Sequence, residues 1–271
     1  MTSFQELHAS GCFVLPNAWD AGSAVMLQRL GFVAVASTSA GYAFSRGRPD
    51  GASAVPLDDV LAHLCELVAA TALPVNADFV NGYADDPESV AANVTRCVAT
   101  GVAGLSIEDT PGASLYDRSL AVERVRAARA AIDATSTPVV LTARCEAALV
   151  GQPEPMPVIL DRLVAFAEAG ADCLYAPGLT TVDQIRAVVS AVTPLPVNVL
   201  AGERGPAGTV AELADLGVRR VSLGSALARA AWGGFLRAAR TLAAEGSFAG
   251  LAGAAPYATL NDAFTPPRFS R

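Results

Sequence analysis

The sequence predicts an α/β protein, a (β/α)8 barrel of the TIM type that ends in a C-terminal helical arm. Three observations carry this. Apolar runs of strand length recur eight times, each bounded by Gly, Pro or polar residues, and segments with helical spacing lie between them. Four helical segments stop at a glycine just before the next run, at Gly31, Gly101, Gly170 and Gly217, where a left-handed C-cap is wanted. Strand and helix in strict alternation give a parallel sheet, and eight such units fit a closed barrel better than an open doubly wound sheet.

In order, the expected strands are Cys12 to Pro16, Phe32 to Ser37, Leu73 to Phe79, Gly104 to Asp109, Pro138 to Glu146, Cys173 to Ala176, Pro196 to Ala201 and Arg220 to Gly224. The intervening helices include Leu57 to Ala70, Pro87 to Thr100, Leu120 to Ala134, Val158 to Ala169, Val182 to Val192 and Thr209 to Leu216. A further helix runs past Trp232 through Phe235 to Gly246, after which the chain turns Gly/Ala/Pro-rich and is expected to be extended from Phe248 to Arg271. The domain reading is therefore a catalytic barrel over residues 1–246 and an arm over residues 247–271. Leu251, Tyr257, Leu260 and Phe264 on that arm suit packing against a neighbouring subunit.

Composition excludes several classes of function. All 19 basic residues are arginine. Without lysine there is no Schiff-base aldolase, no pyridoxal chemistry and no phosphate-loop NTPase, since each needs a lysine amine or ammonium. A formal charge of −7 with no basic cluster argues against nucleic acid as a partner. Five scattered cysteines, not spaced as zinc or redox motifs, suit reduced thiols and a cytoplasmic protein. No secretory leader is expected in the first residues, and charges interrupt every long apolar stretch, so no membrane span is expected.

In a barrel the chemistry lies at the carboxyl ends of the strands. There the sequence places Asn17, Trp19 and Asp20, then Thr38 and Ser39, Asn76 and Asp78, Glu108 and Asp109, Arg144 and Glu146, Tyr175, Asn198 with Glu203 just beyond, and Ser225. Asn76 and Asp78 are two apart on one strand and share a face. Oxygen ligands on adjacent strands, with Asp50 on the loop after strand two, are what a hard cation such as Mg²⁺ binds, and such a cation stabilises a forming enolate. Arg144 is suited to grip a substrate carboxylate with its planar fork. Trp19 and Asn198 are further candidate substrate contacts. The residues thus describe a site for a small anionic oxo acid. Strand-end aspartates such as Asp20 and Asp109 equally serve as caps or turn formers, and Arg144 beside Glu146 also reads as a buried ion pair. Cys145 and Cys173 read as packing. His8 and His63 sit far from any strand end. The Gly-rich stretches Ala201 to Gly208 and Gly224 to Ser225 read as tight turns rather than a phosphate cradle.

Six segments in order carry a resemblance: Leu15-Pro-Asn-Ala-Trp-Asp-Ala-Gly-Ser-Ala, Ser37-Thr-Ser-Ala-Gly-Tyr-Ala-Phe-Ser, Arg48-Pro-Asp-Gly, Pro74-Val-Asn-Ala-Asp with Asn81-Gly-Tyr, Ile107-Glu-Asp and Thr142-Ala-Arg-Cys-Glu-Ala. Together, from about Leu15 to Phe235, the chain resembles the isocitrate lyase and phosphoenolpyruvate mutase superfamily. The resemblance implies a barrel, usually tetrameric with its last helix swapped between partners, so a homotetramer or dimer is expected. It implies that Thr38, Ser39 and Ala40 contact the oxo-acid end of the substrate, that Asp50, Asp78 and Glu108 serve a Mg²⁺ or Mn²⁺ shell, and that Arg144 binds a carboxylate. Asp50, Glu108 and Arg144 are then the catalytic candidates, and Asn76 is a metal candidate in which a neutral amide replaces the family's usual carboxylate.

The loop after strand four departs further. It reads Glu108-Asp-Thr-Pro-Gly-Ala-Ser-Leu-Tyr-Asp117, without the Cys-Gly-His and lysines of isocitrate and methylisocitrate lyases, and without the lysine and asparagine of the phosphonate-forming mutases. What remains is a Mg²⁺-dependent carbon–carbon lyase for a small 2-oxo or 2-hydroxy polycarboxylate, of oxaloacetate decarboxylase or atypical isocitrate/methylisocitrate lyase type. Solvent, Tyr42, Tyr83 or Tyr116 would supply the proton. The alternatives are a phosphonopyruvate or carboxyphosphoenolpyruvate mutase or hydrolase, and a barrel that binds 2-oxo acids without turnover.

Overall fold

The computed structural model describes residues 3–51, 54–202, 205–206 and 208–265. The chain begins with α1 (Phe4–Ala9), β1 (Phe13–Leu15), β2 (Asn17–Ala18), α2 (Ala21–Arg29), β3 (Val35–Ser37) and α3 (Ser39–Ser45). It continues through α4 (Leu57–Ala70), β4 (Val75–Asp78), α5 (Pro87–Val98), β5 (Gly104–Glu108), α6 (Arg118–Ala134), β6 (Val140–Arg144) and α7 (Pro155–Glu168). The last part holds β7 (Cys173–Tyr175), α8 (Val182–Val192), β8 (Val197–Leu200), α9 (Val210–Asp215), β9 (Arg220–Ser222), α10 (Ala226–Glu245), a 3-10 turn (Ala249–Gly253) and α11 (Tyr257–Phe264). All strands are parallel, in the order β1-β9-β8-β7-β6-β5-β4-β3-β2, so the sheet curls into a nearly closed barrel surrounded by helices. The expected barrel is the observed fold.

The seam shows why the barrel has nine strand segments instead of eight. Pro16 has no N–H to give to a ladder and splits the first barrel strand, with β1 pairing β9 and β2 pairing β3. The Asn17 side chain bridges the split: its amide donates to the Ser37 carbonyl at 2.7 Å and its oxygen accepts the Leu223 N–H at 3.0 Å. Gly31, Gly101, Gly170 and Gly217 all have positive φ, as the C-cap reading requires.

Two parts of the chain differ from expectation. α1 forms under the barrel because Ser3 and Glu6 make a capping box, and Phe4 packs with Phe13, Leu15, Ala34, Ala36, Val140 and Cys173 as an apolar plug. The tail expected to be extended instead carries a 3-10 turn and α11, and Phe264 of α11 reaches Gly22 of α2. Trp232, Phe235, Phe248, Leu251 and Tyr257 remain exposed on this face. No helix among the described residues is long and apolar enough to cross a membrane.

Above the plug the barrel interior becomes polar. Arg220, 2% exposed, donates to Asn198 Oδ1 at 2.9 Å and Thr142 Oγ1 at 2.9 Å, and lies 3.2 Å from His8 Nε2. Burial, with the Arg220 charge in support, holds His8 near a pKa of 4, so at neutral pH the ring is uncharged and its Nε2 accepts from the guanidinium. This layer forms the base on which the strand ends stand.

Candidate active site

At the carboxyl ends of the strands lies a cleft of about 590 Å³. Thr38, Ser39, Ala40, Asp50, Asp78, Glu108 and Arg144 all line it, so seven of the residues singled out from sequence come together.

The construction starts at α3. The Thr38 hydroxyl accepts the Gly41 N–H at 3.2 Å and caps the helix. Gly41 is required because a Cβ there would lie 2.6 Å from Thr38 Cγ2 and 3.0 Å from Trp19 Cβ. The cap brings Ser39 over β4, where its N–H and hydroxyl both donate to Asp78 Oδ2, at 2.8 and 2.9 Å. Asp78 N in turn donates to Ser37 Oγ at 2.8 Å. One oxygen of Asp78 is thereby fixed, while Oδ1 is buried without a hydrogen-bond partner, 3.7 Å from Arg144 Nη1.

Arg144 occupies the centre. Its Nη1 lies 2.9 Å from Glu108 Oε1, its Nε is bonded to Glu146, and its guanidinium carbon sits 5.1 Å from the Tyr175 ring centre. Burial alone would lower its pKa, but the carboxylates of Glu108 and Glu146 raise it well above the ordinary arginine value. The acids respond in the opposite sense. Desolvation pushes Glu108 up to about 8, with Arg144 opposing and the charges of Glu146, Asp78 and Asp50 adding to the rise. Desolvation also raises Glu146. Asp50 hangs at the exposed rim, raised by partial desolvation and then by the Asp78 charge.

Supporting contacts hold the strand-end loops. Asp109 accepts the Glu146 N–H at 2.8 Å and pairs with Arg162 at 3.1 Å, so it is a strut that fixes the turn after β6 rather than a helix cap. Asp20 is the cap, accepting the Ser23 N–H at 2.7 Å. The loop after β4, which holds Val80 and Tyr83 at positive φ, is tied down by the buried Arg124 through the carbonyls of Asn81, Ala84 and Asp85.

Three sequence candidates do not line the cleft. Asn198 is committed to Arg220 and Ser222 below it. Asn76 is buried, its Oδ1 beside Gly104 and unpartnered, because two residues along β4 is also one layer deeper into the barrel. Trp19 packs against Gly41 behind α3. Of the tyrosines, Tyr116 bonds Asp85 and Asn81 outside the cleft, Tyr42 and Tyr83 line a smaller cavity behind Asp78, and Tyr175 lines the cleft itself. His63, expected far from the strand ends, also lines that smaller cavity, because α4 packs against α3 and β4 there. Glu146, placed at a strand end by the sequence but given no role beyond an ion pair with Arg144, lines the cleft; Arg229 also lines it and lies inside α10, where no strand-end pattern points to it. Glu203 lies outside the described residues.

The donor set is oxygen only and acidic, and Asp78 Oδ1 is an orphaned acceptor facing Arg144. Among the described residues, no group of three or more His, Cys, Asp or Glu side chains is placed to hold a metal ion by itself. A water-rich cation held by one or two carboxylates, as Mg²⁺ prefers, fits this arrangement, whereas a closed zinc-type cage does not.

A model of the family described as phosphoenolpyruvate phosphomutase matches residues 4–243. The chain belongs to that family. The phosphoenolpyruvate phosphomutase family assignment agrees with a solved structure of a candidate lyase/mutase from Burkholderia cenocepacia J2315, which is 47% identical with a TM-score of 0.93 and covers 98% of this chain and 95% of its own. The 2-methylisocitrate lyase of Escherichia coli K12 is 32% identical over 72% of this chain and 67% of its own length. An oxaloacetate decarboxylase of Rhodopseudomonas palustris BisB5 is 31% identical over 70% and 66%. The chain is thus an enzyme of a lyase and mutase family.

The crowding of acids gives a pH prediction. Between the ordinary glutamate value of 4.5 and about 8, folded Glu108 holds a proton that the unfolded chain releases. Stability of the chelator-treated protein therefore falls as pH rises through this window. Glu108→Gln, neutral at every pH, should remove on the order of 1–3 kcal/mol of that decline, as read by urea unfolding at pH 5 and pH 9. Equal slopes for parent and variant would show that Glu108 carries no such proton.

Proposed function

We propose that this protein is a Mg²⁺-dependent carbon–carbon lyase acting on a small 2-oxo or 2-hydroxy polycarboxylate, of oxaloacetate decarboxylase or atypical isocitrate/methylisocitrate lyase type. The observation that carries the reading is Arg144 held on the cleft floor among Asp78, Glu108 and Glu146, next to the Ser39–Asp78 pair. Similarity to a 2-methylisocitrate lyase and an oxaloacetate decarboxylase supports it.

Asp78 would hold the cation (Mg²⁺ or Mn²⁺), with Glu108 and Asp50 serving its shell. When bound, the cation supplies charge stabilisation for the oxygen of a pyruvate-like enolate. The chain's own groups do the rest. Arg144 turns from its carboxylates to grip a substrate carboxylate, two parallel N–H donors fixing its plane. Thr38, Ser39 and Ala40 line the oxo-acid end. Arg229, across the cleft, is placed to meet a second carboxylate of the substrate. The Tyr175 hydroxyl, whose pKa burial raises to about 12, holds a proton in the cleft at neutral pH and would protonate the carbon left after cleavage, the role that the absent loop cysteine has in isocitrate and methylisocitrate lyases. The loop after β5 offers none of the lysines that phosphonate chemistry would call on.

Proton NMR of the protein with Mg²⁺ and, separately, oxaloacetate, isocitrate, 2-methylisocitrate or phosphonopyruvate tests this, with metal-only rates subtracted. Pyruvate or glyoxylate should form, and folded Asp78→Ala and Arg144→Ala variants should lose about 100-fold or more in rate. Variants as fast as the parent, or consumption of phosphonopyruvate alone, would contradict the lyase.

The same reading includes a homo-oligomer, a dimer or tetramer, with Trp232, Phe235, Phe248 and Tyr257 covered by a second copy. An apolar face of this kind is costly to leave in water. Sedimentation should show a dimer or larger species, and a monomer at micromolar concentration would oppose it.

A further inference from the structure

Next to the main cleft, and sharing Thr38, Ser39 and Asp78 with its lining, is a second cavity of about 20 Å³, room for a single water. It is lined by Ser37, Ser39, Asp78, Tyr83 and His63, with Val55 and Val60 as apolar walls. His63 comes from α4, is 4% exposed, and stacks on Tyr42 with ring centres 3.8 Å apart and planes 5° from parallel. Stacking fixes the ring, and its Nε2 is buried with no hydrogen-bond partner among the described residues. A buried polar atom left unmade costs roughly 1–3 kcal/mol, and an imidazole locked in one orientation toward a cavity with polar walls points to something bound there.

We propose that this cavity is a water site, and that its water joins His63 Nε2 to the Ser39–Asp78 pair, making His63 a positioning residue for Asp78. The partners are sufficient, since a buried water needs two to four, and the Ser39 hydroxyl, the Asp78 carboxylate and the Tyr83 phenol share the cavity with the imidazole. Burial keeps His63 uncharged at neutral pH, so it donates or accepts one hydrogen bond without bringing a charge against Asp78. The connection runs His63, water, Ser39 Oγ and Asp78 Oδ2, with Oδ1 left without a hydrogen-bond partner 3.7 Å from Arg144 Nη1. His63 thus acts on the cleft from behind. Groups bonded directly to a ligating residue commonly change metal affinity 10- to 100-fold, and His63, which reaches Asp78 through the water, belongs at the lower end of that range.

The inference rests on Asp78 as a cation ligand, so two readouts separate the two ideas. The first is a crystal structure of the full chain at about 1.5 Å or better, in which a water peak should lie within hydrogen-bond distance of His63 Nε2 and of Ser39 or Asp78. A cavity with no such peak overturns the water site. The second is Mn²⁺ affinity measured by electron paramagnetic resonance without substrate. His63→Phe, which keeps the stack on Tyr42, should weaken Mn²⁺ about tenfold, and His63→Gln, which restores a polar atom, should stay within about threefold of the parent. If His63→Phe binds Mn²⁺ as the parent does, the positioning role is overturned. If the parent binds no Mn²⁺ while the water is present, the cation reading fails and the water site stands. His63→Leu serves if the Phe variant does not fold, judged by thermal melting alongside.

Discussion

The site depends on an imbalance of charge. Four carboxylates, Asp50, Asp78, Glu108 and Glu146, line the cleft around Arg144. Two ionised carboxylates about 4 Å apart repel by about 4 kcal/mol at the effective dielectric of a protein site. The guanidinium offsets this for the acids that it touches, and a retained proton on Glu108 relieves another part. On the proposed reading, a cation would satisfy the acids and release Arg144 to meet an anion, so that electrostatics and substrate binding become one problem solved by the same few atoms.

The fold exists to hold that cluster still. Asp78, Glu108 and Arg144 stand at the ends of β4, β5 and β6, with Glu146 just beyond Arg144 and Asp50 on the loop after α3, so the registers of β4, β5 and β6 decide which groups meet. Beneath them the barrel is filled by Arg220, Asn198, Thr142 and His8, then closed by the Phe4 plug. Loops that would otherwise wander are held by buried arginines acting on carbonyls and one aspartate: Arg124 on the turn after β4, Arg162 on Asp109. These arginines hold loops rather than ligands.

Much of this was legible in the sequence, for a physical reason. Short apolar runs of strand length and glycine C-caps report directly on local backbone geometry, so the alternation of β and α and the positive-φ glycines were readable. Strand-end position also predicted the cleft residues Thr38, Ser39, Asp50, Asp78, Glu108 and Arg144. What the sequence could not show was depth. Asn76 and Asp78 share a face of β4, yet only Asp78 stands at the cleft, because strand tilt in a barrel sorts residues of one face into layers. Asn198 was hidden in the same way, and Trp19 turns behind α3. His63 and Arg229 sit on helices, where the spacing that marks a strand end has no meaning, and only packing brings them to their cavities. The plug α1 was missed since six residues carry too little periodicity to register.

The central claim is that the cleft accepts an enolate-like oxo acid only together with a divalent cation. Oxalate is planar, doubly charged and close in shape to the enolate of pyruvate, and it needs no turnover to be informative. Calorimetric titration of oxalate into the protein with and without Mg²⁺ tests the claim most directly. Binding with Mg²⁺ and at least tenfold weaker binding after chelation are expected, since bare carboxylates repel the anion. Binding that is indifferent to Mg²⁺, or no binding in either condition, would contradict it.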